Sequence, residues 1–199
     1  MKFILASASP RRREMLANLG LAFTVLSADA DESSDERDGA RLCELLACRK
    51  AQAVADALTE QGSAPDGETV IIAADTVVIS PDGEILGKPR DRDDAVRMLR
   101  ALSGKTHRVA SGIAVMVGSR LCSAHEQTEV TFAPLTDAII DRYVDSGEPM
   151  DKAGAYGIQG TASLWISAIR GDYFNVVGLP LHRLETLLNE SFGLTLWDA

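Results

Sequence analysis

Asp75 stands in the middle of Thr69 to Ile79, a run that reads Thr-Val-Ile-Ile-Ala-Ala-Asp-Thr-Val-Val-Ile. Such a run is a buried strand. A carboxylate inside it must be paired, metal-bound or protonated, or else serve structurally by bonding a neighbouring loop. Cations occupy equally unusual places. Arg11, Arg12 and Arg13 follow Pro10 in what reads as the first turn of a helix, where the dipole favours carboxylates. Arg49 and Lys50 fall on the inward stripe of a second helix, unless both snorkel to solvent on their long stems. Lys88 stands in Gly87-Lys88-Pro89 and Lys152 in a glycine-rich loop. One carboxylate among several separated cations suits a phosphate-rich ligand. The cations would neutralise phosphate oxygens and stabilise charge that builds in a transition state. The carboxylate would orient and deprotonate water, or hold Mg²⁺. Glu32 offers a second oxygen donor of the kind Mg²⁺ prefers.

The elements that must position these groups follow from the apolar periodicity. Lys2 to Ala6 is a short strand, and Ser9 then caps a helix that admits Pro10 at its first position and stops at Gly20. Strand, turn and helix start bring two serines, free backbone N–H groups and guanidinium forks together, a site for an anion. Phe23 to Leu26 is a second strand, followed by an acidic loop with Asp29, Asp31, Glu32, Asp35, Glu36 and Asp38 against Arg37. Residues 38 to 60 form a helix with Leu42, Leu45, Leu46, Ala53, Val54, Ala57 and Leu58 at helical spacing. After the strand that carries Asp75, Ser80-Pro81-Asp82-Gly83 turns the chain into a hairpin with Glu84-Ile85-Leu86. Asp91 or Asp93 starts a helix ending at Ser103-Gly104; strands follow over 106–117 and 121–132, and Thr136 caps the next helix. Residues 147–160 carry four glycines with no hydrophobic period and read as a structured, functional loop. A strand begins at Leu164, Arg170 to Asn175 is a turn, and a final helix runs from about Pro180 to Ser191. Strands and helices alternate with hairpins inserted, so the expected class is α/β with a mixed sheet.

The chain has 199 residues with a net charge of −9, enough for one globular domain with room for two lobes. That acidity argues against a grip on nucleic acid, yet leaves room for a small polyanion held by local cations. Cys43, Cys48 and Cys122 make no metal pattern and no disulfide framework, which fits a reducing compartment. The N-terminal apolar run is too short for a secretory signal, and no stretch approaches a membrane span. The expectation is therefore a cytoplasmic protein. His107, His125 and His182 show no metal spacing, and there is no GxxxxGK[ST], GxSxG or early GxGxxG.

Six stretches carry a resemblance: LASASPRR at 5–12, AADTVV at 73–78, GKPRD at 87–91, LSGKTHRV at 102–109, SGEPMDKAGAYGIQG at 146–160 and NVVGLPL at 175–181. In that order they resemble the Maf family over nearly the whole chain, 1–199. The resemblance implies one Maf-like domain, a mixed α/β structure with two lobes around a cleft, related to the inosine triphosphate pyrophosphatases. It implies a nucleoside triphosphate pyrophosphatase that releases a monophosphate and pyrophosphate, uses a divalent cation (Mg²⁺ or Mn²⁺) and forms a homodimer. By position, Asp75 matches the family's proton acceptor; Ser7, Arg12, Lys50 and Lys88 match its substrate-contacting positions; and Glu32 matches an acidic position near the metal. Arg11, Thr76 and Gln159 resemble the branch acting on dTTP and UTP. The competing expectations are a house-cleaning enzyme for other non-standard nucleotides and a nucleotide-binding regulator of cell division.

Overall fold

The computed structural model describes residues 1–197. Its strands are β1 (Lys2–Leu5), β2 (Phe23–Val25), β3 (Thr69–Ile79), β4 (Ile85–Leu86), β5 (Thr106–Val117), β6 (Arg120–Phe132) and β7 (Ile166–Arg170). Its helices are α1 (Pro10–Asn18), α2 (Gly39–Glu60), α3 (Arg92–Leu102), α4 (Asp137–Asp145), α5 (Tyr173–Val177) and α6 (Leu181–Phe192). The strand order is β2-β1-β3-β5-β6-β7, with β4 paired to β3. β1 runs parallel to β2 and β3, whereas β3–β4 and β6–β7 are antiparallel, so the sheet is mixed as expected. Among the described residues no helix is long and apolar enough to cross a membrane.

The chain divides into two compact units. One holds residues 1–75, 111–126 and the chain from Gly178 onward; the other holds 76–110 and 127–177. Each has its own core. In the first, Ile4, Ala6, Ile71, Ala73 and Ala114 pack with Ala47, Ala51 and Val54 of α2. In the second, Leu99, Leu102, Phe132, Ile140, Tyr143 and Tyr156 are buried together.

Three helix starts are set by side-chain caps. Asp38 caps α2 by accepting from Ala40 N at 2.9 Å and Arg41 N at 3.1 Å. Asp91 caps α3 through Asp94 N at 2.8 Å, and Thr136 caps α4 through Ile139 N at 3.3 Å. Each satisfies backbone donors that the first helical turn leaves open.

Three expectations need correction. The buried face of α2 is not the leucine-weighted stripe: Leu45 is 37% exposed, and Cys43, Leu46, Ala47, Ala51, Val54 and Ala55 are buried. Small residues win because the helix lies directly on β5. A Cβ at Gly112 would fall 2.2 Å from the Cys43 carbonyl carbon and 2.2 Å from Glu44 N. The loop over 147–160 contains short 3₁₀ segments at Glu148–Asp151 and Ala153–Ala155, and a third at Thr161–Trp165 delays β7 to Ile166. The turn expected over 170–175 instead leads into α5, whose five residues are too few to show a helical period. Among the cysteines, Cys43 is buried and Cys48 and Cys122 are half-buried.

The close approach at Gly112 yields a test. Gly112→Ala should destabilise the protein by about 3 kcal/mol, the upper range for overpacking against rigid backbone. Urea unfolding would read this as a lower midpoint at constant m-value; an unchanged midpoint would show that α2 has slack over β5.

Candidate active site

The site grows from two periodicities that meet. Along β3, side chains of one face recur every second residue, and Ile71 and Ala73 face α2 in the first core. Continuing that face places Asp75 toward the same helix. Along α2, Ala47, Ala51 and Val54 face the sheet, and Lys50 lies three residues after the first and four before the last. The two charged residues therefore meet where the apolar contact ends. Lys50 Nζ donates to Asp75 Oδ1 at 2.5 Å and also reaches Glu32 Oε1 at 2.8 Å. The Asp75 side chain is 14% exposed, Lys50 22% and Glu32 61%, so the pair is largely withdrawn from water while Glu32 stays wet. Burial pulls the Lys50 ammonium down, but Asp75 and Glu32 outweigh it and hold the group above its usual range.

Asp75 and Ser7 emerge from neighbouring parallel strands. Leu5 is in register with Ile72, and Ala6 N donates to Ile72 O at 2.7 Å. The carboxyl ends of adjacent parallel strands are where α/β sheets present ligand-binding groups. Ser9 caps α1 and Pro10 occupies its first turn, as expected, but the Ser9 side chain makes no capping bond. The Ser9 amide instead donates to Ser7 Oγ at 3.3 Å, and Arg12 Nη1 donates to the same oxygen at 3.1 Å. Arg12 Nε also donates to Gly178 O at 2.8 Å. Burial lowers the Arg12 pKa, and the negative charge of Asp75 opposes that shift. Arg12 is thus a fixed guanidinium within the field of Asp75. No acidic residue lies in the first turn of α1, so this helix start is suited to an external anion.

The other cation on α2, Arg49, does not simply snorkel. Its Nη1 donates to Asp31 O at 2.9 Å and to Ser33 O at 2.6 Å, the carbonyls on either side of Glu32. Consecutive residues of one helix thereby hold Glu32 by backbone and by side chain. Within the loop, Asp31 Oδ1 accepts from Ser33 N at 2.9 Å. Neither the Arg49 clamp nor the Gly178 carbonyl is visible in the sequence: a cation on the stripe flagged Arg49, but backbone acceptors leave no sequence signal.

The structure gathers Ser7 with Arg12, and Lys50 with Asp75 and Glu32. Arg11 on α1 and Thr76, next after Asp75, are half-buried. Lys88 and Gln159 belong to the second unit and are exposed. Lys152 serves its own loop: its Nζ bonds Glu148 O and Asp151 Oδ1, each at 2.6 Å. The histidines stay outside the site. His107 is buried against Tyr156 OH at 2.8 Å, His125 Nδ1 lies 2.7 Å from Glu44 Oε2, and His182 is exposed. Buried Cys43 has its thiol pushed up to about 12, chiefly by burial and then by the charge of Asp75, so it is no nucleophile.

Among the described residues no cluster of three or more His, Cys, Asp or Glu could hold a metal. Two carboxylates nevertheless converge on one ammonium, and a single positive charge leaves their sum negative. Hard oxygen donors with residual negative charge fit a Mg²⁺-type ion that keeps waters and takes substrate phosphates as further ligands.

The Maf family profile, described as Maf-like protein, matches residues 2–191. The "dTTP/UTP pyrophosphatase" of Symbiobacterium thermophilum is 48% identical over 199 residues, covering 100% of this chain and 97% of its own. That of Desulforamulus reducens, with the same name, is 50% identical over 195 residues and covers 96% of each chain. Among solved structures, the Staphylococcus aureus Ham1 protein superposes with a TM-score of 0.47 and 13% identity, covering 67% of this chain and 72% of that one.

The clamp on the acidic loop is open to measurement. Arg49→Ala should raise amide hydrogen exchange at residues 31–34 by about tenfold or more, since it removes two charge-assisted bonds. Exchange in α2 should be unchanged. Equal rates at 31–34 in both proteins would mean that Arg49 does not hold the loop.

Proposed function

Because the chain belongs to the Maf family, we propose that it hydrolyses dTTP and UTP to the monophosphate and pyrophosphate. The observation that carries this reading is the salt-bridged Asp75, a carboxylate kept in an apolar strand by Lys50 and placed within the field of Arg12. A ligand-binding module has little use for a water-activating carboxylate in that position.

The chain's own residues divide the work as follows. Arg12, pinned through Nε and Nη1, presents a guanidinium of fixed orientation to the triphosphate, beside the hydroxyl of Ser7. Lys50 and Lys88 add ammonium groups, whose charges offset the negative charge that grows on phosphate oxygens during displacement. Asp75 orients water and takes its proton as it attacks a phosphoryl group. Lys50 holds the Asp75 carboxyl in place for that role through the 2.5 Å bond to Oδ1. Arg11, Thr76 and Gln159 select the base. Asp75 and Glu32 are the residues that would hold Mg²⁺ or Mn²⁺, which when bound supplies charge neutralisation of the phosphates. The same reading has the enzyme in the cytoplasm as a homodimer. Free Cys43, Cys48 and Cys122 support a reducing compartment, and the net charge of −9 supports a small anionic substrate over nucleic acid.

The test is a panel of nucleoside triphosphates with pyrophosphate detection, with and without Mg²⁺ or Mn²⁺. The expected result is turnover of dTTP and UTP ahead of purine nucleotides, with a requirement for the divalent ion. Asp75→Asn should keep the fold and lose ~10²–10⁴-fold in turnover, the usual contribution of a placed general base. Binding of dTTP without turnover by the unmodified protein would replace catalysis with sensing, and near-normal turnover by Asp75→Asn would remove Asp75 from the mechanism.

A further inference from the structure

Gln159 lies on a short turn whose two ends are fixed by one carboxylate and one phenol. Glu148 begins the 3₁₀ segment after α4, and its backbone oxygen accepts from Lys152 Nζ at 2.6 Å. Its carboxylate reaches forward thirteen residues. Oε1 accepts from Thr161 N at 3.1 Å, and Oε2 accepts from Thr161 Oγ1 at 2.8 Å. Oε1 also accepts from Tyr143 OH at 3.0 Å, and that phenol oxygen in turn accepts from Gly157 N at 3.4 Å. Gly157 and Thr161 are the residues two before and two after Gln159. Between them Gly160 N donates to Gly157 O at 3.1 Å, closing the turn.

Packing fixes the turn as tightly as the hydrogen bonds do. Ile158 is only 8% exposed, so it anchors the turn inward while Gln159, next in the chain, faces out. A Cβ at Gly160 would sit 2.0 Å from Glu148 Oε1, and one at Gly157 would sit 2.7 Å from Lys152 Cε. The two glycines are therefore what lets the carboxylate and the lysine stem lie against the turn. A charged acceptor that bonds both a backbone N–H and a hydroxyl makes a stronger tether than neutral pairs do.

From this geometry we infer that Glu148 is a positioning residue for base selection, acting through Gln159 by holding both ends of the Gly157–Thr161 turn. The inference rests on the reading of Gln159 as a base-selecting residue. A side-chain amide discriminates between bases only if its donor and acceptor are held in one orientation, since the wrong base is rejected when docking covers that amide and leaves it unpaired. A turn free to rock would let the amide satisfy several bases equally. Glu148 and Tyr143 remove that freedom without meeting the nucleotide themselves.

The experiment is a double-mutant cycle read by steady-state kinetics on dTTP and on a purine triphosphate. Glu148→Ala should raise KM for dTTP about tenfold, as expected for lost bonds to a charged group, with kcat within about twofold. Its preference for dTTP over the purine nucleotide should fall in step. In a Gln159→Ala background the same substitution should change neither quantity, because its route to the substrate is gone. Glu148→Gln, which keeps an acceptor oxygen, should recover part of the loss. Thr161→Val deletes a single hydroxyl and is the variant to use if Glu148→Ala does not fold; a smaller shift of the same sign, absent in the Gln159→Ala background, is expected. Equal KM shifts in both backgrounds, or no shift in the native background, would overturn the inference while leaving Gln159 in place. Unchanged base preference in Gln159→Ala alone would overturn the reading of Gln159, and the inference with it.

Discussion

The ammonium of Lys50, shared between Asp75 and Glu32, is the interaction on which the first unit is organised. Removing a carboxylate and an ammonium from water is expensive, and their attraction repays it only when the geometry is close. Here one oxygen of Asp75 lies 2.5 Å from Lys50 Nζ. The consequence is a carboxyl group held in place inside a strand whose neighbours are apolar. Glu32 adds a second negative charge from an exposed loop, so the cluster keeps a net negative charge and a path to solvent. A site built only for stability would have used apolar side chains at these positions, which pack without a desolvation penalty.

Each supporting feature can be traced to what that interaction requires. Lys50 must project from α2 at one height over β3, so α2 packs on the sheet through alanines and lies against Gly112. Glu32 must return to the same ammonium from a loop rich in like charges, so Arg49 grips the carbonyls beside it. Arg12 would swing freely on its long stem if only its charge mattered. Bonds to Ser7 and Gly178 instead fix the plane of the guanidinium. In the second unit the same logic recurs in another form, with Glu148 and Tyr143 holding a glycine turn rigid.

Much of this was legible in the sequence, and the reasons differ by element. Asp75 announced itself because a charge in a β-forming run violates the pattern around it, and Arg12 because it stands at the wrong end of a helix dipole. Mixed α/β architecture followed from alternation and the cap Thr136 from residue type, while residue type alone left Asp91 and Asp93 as alternatives for the start of α3. The buried face of α2 was not legible, because hydropathy weights leucine whereas close helix–sheet contact selects alanine and glycine. The 3₁₀ segments and α5 are too short to carry a period. Arg49 and Gly178 act through backbone groups, which every residue possesses, so nothing in the pattern of side chains marks their partners. Lys152 adds a role that its residue type does not announce: a cation in a glycine loop that bonds the loop's own carbonyl and carboxylate.

The most direct measurement of the account is the coupling between Lys50 and Asp75, obtained from Lys50→Met, Asp75→Asn and the double variant by urea unfolding at neutral pH. A mutually dependent pair predicts that each single variant is destabilised by about 2 kcal/mol, the loss of a charge-assisted bond, since Glu32 still faces Lys50 and Arg12 still acts on Asp75. It also predicts that the double variant recovers much of that loss, giving a large favourable coupling energy. Strictly additive losses, with no recovery in the double variant, would contradict the claim that Lys50 and Asp75 hold each other in place at the strand.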